Sequence, residues 1–175
     1  MTFQSAVNRV NTFGIQGDLA NGQVPHYSAT TPRVAADETV VAGGFVWVKD
    51  LNGVSSAYGK GSGAPTGIAQ RVKDVPNMNI RSEGTMEIPA GRKVDVVVWG
   101  DIFVKTTDSA TVGNALFVNN TTGAITNAAS GTSVAGATET GWKIVSLANN
   151  AASAQGSIVI ASNVSGPIAA EVESS

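Results

Sequence analysis

The chain has 175 residues, a formal net charge of −2 and no cysteine. This length is that of one ordinary domain, and the missing cysteines exclude disulfides, thiolate metal sites and a cysteine nucleophile. Binding to a phosphate backbone requires a surplus of basic residues, and this chain has a slight excess of acidic ones. We therefore expect no nucleic-acid partner.

Residues 1–32 are predicted to form an extended N-terminal arm, because their apolar residues are spread thinly between Asn, Gly and Gln. They contain no apolar region of signal-peptide length, and no run elsewhere approaches the ~20 apolar residues of a membrane span, so no membrane partner is expected. Isolated helices of one or two turns are marginal, so we expect the arm to be held by a partner. The apolar residues predicted to make that contact are Phe3, Val7, Phe13, Ile15 and Leu19.

Residues 33–166 are predicted to fold as one β-rich domain, followed by a short acidic tail at residues 167–175. No window repeats apolar residues at helical spacing over three turns, whereas β-branched and aromatic runs alternate with turn signals. The runs are TVVAGGFVWVKD, GIAQRVKDV, NIRSEGTMEI, KVDVVVWGDIFVK, ALFV, AIT, GWKIVSLA and GSIVIAS. Residues 52–67 are expected to be mostly loop. The pattern predicts an all-β fold, either an antiparallel β-sandwich or a small β-barrel.

The stretch KVDVVVWGDIFVK, residues 93–105, is long for one strand, and Gly100 is expected to mark a bend or a change of sheet. If the stretch is extended, alternate residues from Val94 to Val104 form a face without polar side chains. The opposite face mixes charged and aromatic residues along its whole length.

No catalytic or cofactor-binding constellation is present in the pattern. The single histidine, His26, excludes a three-His metal site, and no G-x-S-x-G motif occurs. Asp95 and Asp101 would lie ~20 Å apart along a strand, whereas a glycosidase pair requires about 5–9.5 Å. The glycine-rich GKGSGAPTG lacks the spacing of a phosphate-binding loop. We therefore predict that the protein is not an enzyme and uses no cofactor or metal.

The second half of the chain contains an ordered series of motifs: VVVWGDIFV, then VGNALFV, a TTG hairpin followed by AIT, a GTSVAGA segment and a closing GSIVI strand. Together with the opening MTFQSAVNRVNTFGIQGDLA, this series resembles the head cement, or decoration, proteins of tailed bacteriophages. The likeness covers most of the chain, apart from the Gly-rich residues 52–67. Each motif is short, and the specificity comes from the order of the five.

The resemblance implies a structural virion protein, made in the host cytoplasm, that binds the outer surface of the capsid. Such proteins lock neighbouring major capsid subunits after the shell expands, and they have no catalytic residues. The implied partners are the major capsid protein and further copies of this chain, as a homotrimer or a dimer. The arm would then bind the capsid, and the mixed face of residues 93–105 would form an oligomer or capsid interface. That face presents Asp95, Trp99, Asp101 and Phe103.

Other functions fit the same composition. A glycan-binding or adhesin-type β-domain of a virion or cell surface would expose aromatic side chains. However, Trp47, Trp99 and Trp142 each lie within a β-branched run, which favours the core or an interface. A hydrolase on a β scaffold would need titratable groups clustered around His26. Another virion part, such as a tail tube or head–tail connector protein, would differ from a cement protein in its place in the particle.

Overall fold

The computed structural model describes residues 14–20, 24–28, 33–36, 39–51, 54–71, 86–148 and 156–164. Within these ranges the chain forms twelve strands and no helix, which confirms the all-β prediction, and none of this described part could cross a membrane as a helix. The strands are β1 (His26–Tyr27), β2 (Arg33–Ala35), β3 (Phe45–Leu51), β4 (Val54–Tyr58), β5 (Gly67–Ala69), β6 (Lys93–Val94), β7 (Val96–Trp99), β8 (Asp101–Lys105), β9 (Ala115–Asn119), β10 (Ile125–Ala128), β11 (Ala137–Leu147) and β12 (Ile158–Ser162).

The strands form two sheets that pack against each other as a β-sandwich. The first sheet has the order β1-β7-β5-β3-β4-β2-β6 and the second has the order β10-β9-β11-β12-β8. The described strand pairs are antiparallel except for β2 with β4. Large apolar side chains from both sheets fill the space between them, as expected for facing sheets. The first sheet contributes Phe45, Trp47, Ile68 and Val97, and the second contributes Ile102, Leu116, Val118, Trp142, Ile144 and Val159.

The first sheet is strongly curled. β6 and β7 stand far apart in its strand order, yet only Asp95 separates them in the chain. β1, at one end of the strand order, pairs with β7. β6, at the other end, pairs with β2, which also pairs with β4. Residues 93–99 therefore take part in both ends of the sheet. The inner side of a tight curl has little room, which favours small residues. It is filled by Ala35, Val40, Ala42, Val46, Ala57, Ala69, Ile88, Val94 and Val96.

Gly100 carries the chain from the first sheet to the second. It joins β7 to β8 with a φ of 133°, a conformation that glycine adopts without steric cost. The orientation of the side chains changes at this point, because Val97 and Ile102 both face the core between the sheets. An uninterrupted strand would place them on opposite faces. The change of sheet expected at Gly100 is confirmed, whereas the single mixed face expected along residues 93–105 is wrong because the strand turns.

The side chain of Asn163, just after β12, braces this corner. Its Nδ2 donates a hydrogen bond to Val98 O at 2.6 Å, and its Oδ1 accepts one from the Gly100 N–H at 3.1 Å. The two bonds satisfy backbone groups that the break between β7 and β8 removes from the regular ladder. Asn163 therefore connects the end of β12 in the second sheet to the end of β7 in the first.

The Gly-rich residues 52–67 contain β4, a strand that the sequence pattern did not indicate, and residues 59–66 lie outside strands, as the prediction of mostly loop requires. The turn after β4 packs on Trp47, whose Nε1 donates to Gly63 O at 3.0 Å. Gly61 lies so close to the indole ring that a Cβ at this position would overlap it. The Gly61 N–H also donates to Asn120 O in the β9–β10 hairpin, at 3.2 Å. The glycines thus allow the backbone to close one end of the core.

Three predicted segments lie wholly or partly outside the described residues. The run GIAQRVKDV begins with β5, but its residues from 72 onward are not described. In NIRSEGTMEI only residues 86–88 are described, and Glu87 forms an isolated antiparallel bridge with Val41. The tail at residues 167–175 lies outside the described residues.

Replacement of Asn163 by alanine should destabilise the fold by about 1–3 kcal/mol, because Val98 O and the Gly100 N–H both lose their partner. Urea unfolding followed by tryptophan fluorescence would measure the change. Thr132→Ala, in an exposed loop position, is the control and should stay within about 0.5 kcal/mol of wild type. Equal stabilities of the two variants would show that the Asn163 side chain does not brace the corner.

Candidate interaction surface

Residues 14–20 lie along the edge of β8 and extend the second sheet. Leu19 forms an isolated bridge with Ile102 and packs against the core between the sheets. The segment therefore covers a sheet edge that a partner could otherwise extend. Three backbone hydrogen bonds of 2.8 to 3.0 Å join it to β8: Gly17 N–H to Phe103 O, Phe103 N–H to Asp18 O, and Ala20 N–H to Asp101 O.

Arg71, two residues after β5, links the same segment to the first sheet. Arg71 Nη1 lies 3.4 Å from Asp18 Oδ2, and the Arg71 N–H donates to Gly17 O at 2.8 Å. Both side chains are partly exposed, so the ion pair itself contributes only about 0–1 kcal/mol. The backbone hydrogen bonds to Arg71 and to β8 are therefore the main contacts that hold residues 14–20 in place.

The structure describes two of the five residues predicted to bind the capsid through the arm. Leu19 is half-buried against the protein's own core, whereas Ile15 is 43% exposed and open to a partner. Phe3, Val7 and Phe13 lie outside the described residues. The position of Ile15 is therefore compatible with a direct contact with the capsid. Leu19 instead packs against the core of its own chain.

Two of the predicted interface residues are covered by the chain itself. Asp101 and Phe103 are 9% and 7% exposed, and residues 14–20 lie along the strand that contains them. The ring of Phe103 is in tight contact with Gly14. Neither side chain offers contact area to a partner while this segment is in place.

Asp95 and Trp99 remain accessible but are not brought together. Asp95 is half-buried between β6 and β7, and its Oδ1 lies 3.0 Å from Lys93 Nζ. Trp99 is half-buried at the end of β7. The four residues predicted to share one face therefore occupy three places: Asp95 with Lys93, Trp99 at the sheet end, and the other two beneath residues 14–20.

Trp99 belongs to a partly exposed cluster at the edge of the first sheet. Its indole contacts the ring of His26, with centroids 4.8 Å apart and planes at 39°. Two exposed apolar side chains lie next to His26 in the chain: Val24, two residues before β1, is 78% exposed, and Tyr27, the second residue of β1, is 43% exposed. Pro25 lies against Gly100. We name this cluster the Trp99 surface, and its members are Val24, Pro25, His26, Tyr27 and Trp99.

The Trp99 surface has the chemistry of a protein-contact site. None of its five members carries a permanent charge, and aromatic residues with few charges are typical of the buried centre of an interface. Contiguous exposed apolar side chains at a strand edge also mark interaction sites more often than isolated ones do. The sequence pattern indicates Trp99 but not Val24 or Tyr27, because the pairing of β1 with β7 is a tertiary contact.

The carboxylate of Glu139 has a structural role. Glu139 on β11 accepts hydrogen bonds from the Ser130 O–H at 2.7 Å and the Gly131 N–H at 3.0 Å. These bonds lower the pKa of Glu139, and the charge of Lys143 lowers it further. The carboxylate thus holds the loop after β10. Among the described residues, no three His, Asp or Glu side chains are grouped to hold a metal ion.

Two of the three tryptophans lie in the core, whereas the sequence pattern predicts a core or interface position for all three. Trp47 and Trp142 are 5% and 4% exposed in the core between the sheets, which confirms the prediction for these two. Trp142 meets Phe45 edge-on with ring centroids 6.5 Å apart. Trp99, by contrast, is only partly buried and lies outside both core clusters.

The two environments predict different effects of truncation in the isolated protein. Trp142→Ala should cost about 3–5 kcal/mol because it leaves a cavity in the core. Trp99→Ala should cost at most about 2 kcal/mol, because Trp99 is only partly buried and belongs to neither core cluster. Urea unfolding monitored by circular dichroism would compare the two variants. Loss of folding in Trp99→Ala would assign this residue to the core and remove it from the candidate surface.

Comparison with known proteins identifies the family. The family model described as XM1 gp53 minor capsid protein matches residues 3–163. A chain of the solved structure titled "The capsid of Myoviridae Phage XM1" has a similar fold, with a TM-score of 0.58 and 16% sequence identity over 94% of this chain and 99% of that chain. No curated protein matches the chain.

The match to the family model covers nearly all of the chain, including the strands of both sheets. It confirms the resemblance to capsid-associated proteins of tailed phages and indicates a structural part of the virion. The chain belongs to the XM1 gp53 minor capsid protein family.

Proposed function

We propose that this protein is a cement protein, which binds the outer surface of the capsid and bridges neighbouring major capsid subunits to stabilise the expanded head. Membership of a minor capsid protein family carries the proposal. The formal charge of −2 supports contact with the outside of the shell, because packaged DNA would repel an acidic protein. The proposed action is mechanical and involves no reaction or cofactor.

The covered edges of the second sheet favour side-chain surfaces as the contact sites. Residues 14–20 pair with β8, and the loop after β8 covers β10 at the opposite edge. There the Thr107 N–H donates to Ile125 O at 2.8 Å, and the Asn127 N–H donates to Asp108 Oδ2 at 3.3 Å. A partner strand could not add to either edge without displacing these groups. The exposed side chains of the Trp99 surface are therefore the proposed capsid contact.

A cement protein must hold more than one subunit at once. A standard interface buries roughly 1,600 Å², and linking several such contacts in one oligomer raises the overall affinity by orders of magnitude. We propose that the chain acts as a homo-oligomer, a trimer or a dimer. The segment before Gly14, with Phe3, Val7 and Phe13, would make a second contact with the capsid beside Ile15.

Replacement of Val24 by aspartate should weaken binding to undecorated heads at least tenfold, because the interface would bury an unpaired charge. Val112→Asp is the matched control, since Val112 is also an exposed valine, 51% accessible, but lies in the loop between β8 and β9. Co-sedimentation with purified heads would give the affinities, and electron cryomicroscopy would show which side of the shell is occupied.

Equal binding by the two aspartate variants would remove the Trp99 surface from the capsid contact. Protein density on the inner side of the shell, or none on heads, would overturn the cement proposal itself. Binding of the wild type to glycans through Trp99 in place of heads would favour the adhesin-type alternative.

Deletion of residues 1–13 should leave the protein folded, because every described strand and the segment 14–20 remain. It should weaken binding to heads and lower the temperature at which decorated heads rupture, compared with heads carrying the full chain. Deletion to residue 28 is not equivalent, because it also removes β1 and the strand cover of β8. If heads decorated by the 1–13 deletion variant were as heat-resistant as those with the full chain, the proposed contact of this segment would be wrong.

A further inference from the structure

The Trp99 surface contains one side chain whose charge changes near neutral pH. His26 is the single histidine of the chain, and histidine is the side chain that gains or loses a proton between about pH 5 and pH 8. Both residues of β1 are exposed, so the imidazole of His26 is open to solvent. The same ring contacts the Trp99 indole, with ring centroids 4.8 Å apart. A change in the charge of His26 is therefore a change in the charge of the surface itself.

Among the described strands only β7 pairs with β1, and β7 consists of three valines and one tryptophan. The two carboxylates that flank β7 are held elsewhere. Asp95 Oδ1 lies 3.0 Å from Lys93 Nζ, and Asp101 lies beneath the segment along β8. On β1 itself, the neighbour of His26 is the uncharged Tyr27. Protonation of His26 therefore adds a positive charge where the described strands that pack together place no other charge.

We propose that protonation of His26 is a switch that releases the Trp99 surface from the capsid, an inference that rests on the capsid contact proposed above. While the imidazole is neutral, the surface is uncharged, and a partner can bury it without the cost of desolvating an ion. Once the ring is protonated, a tight contact has to remove a positive charge from water. Burial in the contact therefore favours the neutral form of His26.

The Trp99 indole adds to this effect in the unbound protein. The face of an indole attracts a cation that lies within about 6 Å of the ring centroid, and the His26 ring lies inside this distance. At an open surface the imidazolium keeps both this contact and its hydration, whereas burial against the capsid would remove the water. Binding to heads should therefore weaken as the pH falls through the protonation of His26.

The same argument defines the chemistry of the capsid patch. An apolar patch has no group that pairs with the imidazolium, so acid weakens the contact. A carboxylate opposite His26 would form a charge-assisted hydrogen bond with the protonated ring, and acid would then strengthen the contact. We assign the apolar patch, because Val24, the most exposed member of the surface at 78%, has no polar atom in its side chain.

Two substitutions at position 26 separate the charge from the other properties of the side chain. His26→Gln keeps a neutral polar group at every pH, whereas His26→Arg carries a permanent charge that can also stack on Trp99. Proton NMR of the isolated wild type follows the ring signals of its single histidine. It identifies one pH at which the ring is neutral and one at which it is protonated. Co-sedimentation with undecorated heads at these two pH values would then measure the affinities of all three proteins.

The change measured for His26→Gln between the two pH values reports the protonation of the heads and of all other groups. Beyond this change, the wild type should lose about tenfold in affinity at the lower pH, because the contact has to bury a charge. His26→Arg should bind about tenfold more weakly than His26→Gln at both pH values. Both side chains of β1 are exposed, so the substitutions should leave the fold intact, and circular dichroism would check this.

Equal pH dependence of the wild type and His26→Gln would overturn the switch. Tighter binding of the wild type at the lower pH, relative to His26→Gln, would also overturn it and would indicate an acidic capsid patch. In both cases the heads are still bound, so the cement proposal stands. Absence of wild-type binding at both pH values would instead contradict the cement proposal, and the switch with it.

Discussion

The passage of one chain segment between the two sheets is the constraint on which the structure depends. β7 has both faces buried, because Val96 faces the inside of the curled first sheet and Val97 faces the core between the sheets. A strand that is buried on both faces must carry apolar side chains on both of them. This explains why the run from Val96 to Trp99 does not alternate. Gly100 then turns the chain so that β8 can join the second sheet, and Asn163 fixes the turn.

The same corner determines which side chains are available to partners. Because the turn falls between Trp99 and Asp101, Trp99 stays at the edge of the first sheet, while Asp101 and Phe103 pass beneath residues 14–20. The protein thus covers the strand edges of its second sheet with its own chain, which limits uncontrolled association through backbone pairing. Association through the second sheet is therefore left to side-chain surfaces and not to backbone pairing.

Local sequence signals were sufficient for part of the fold. The all-β class, the change of sheet at Gly100 and the burial of Trp47 and Trp142 follow from β-branched runs and turn residues, which act over short distances. β4 was missed because Ser55 and Ala57 are buried by the curl of the sheet, and small residues give no strong apolar alternation.

The candidate surface could be predicted only in part for a similar reason. The mixed composition of its strand indicates an interface role for Trp99, but its neighbours come from residues 24–27, more than seventy positions earlier in the chain. The register that joins β1 to β7 depends on how the whole sheet curls, which no spacing within either segment specifies. The cover of Phe103 by Gly14 is a contact of the same long-range kind.

The position of Trp99 suits the proposed bracing function for a physical reason. Binding through flexible side chains and loops loses conformational entropy, whereas a residue already fixed by its strand loses little. Trp99 ends a strand that is packed on both faces, and its ring is further held by His26. A load applied to the Trp99 surface would therefore be transmitted to both cores at once through Gly100 and Asn163. A contact mounted on a single loop would yield locally, and the subunits that it joined could separate without disturbing the rest of the fold.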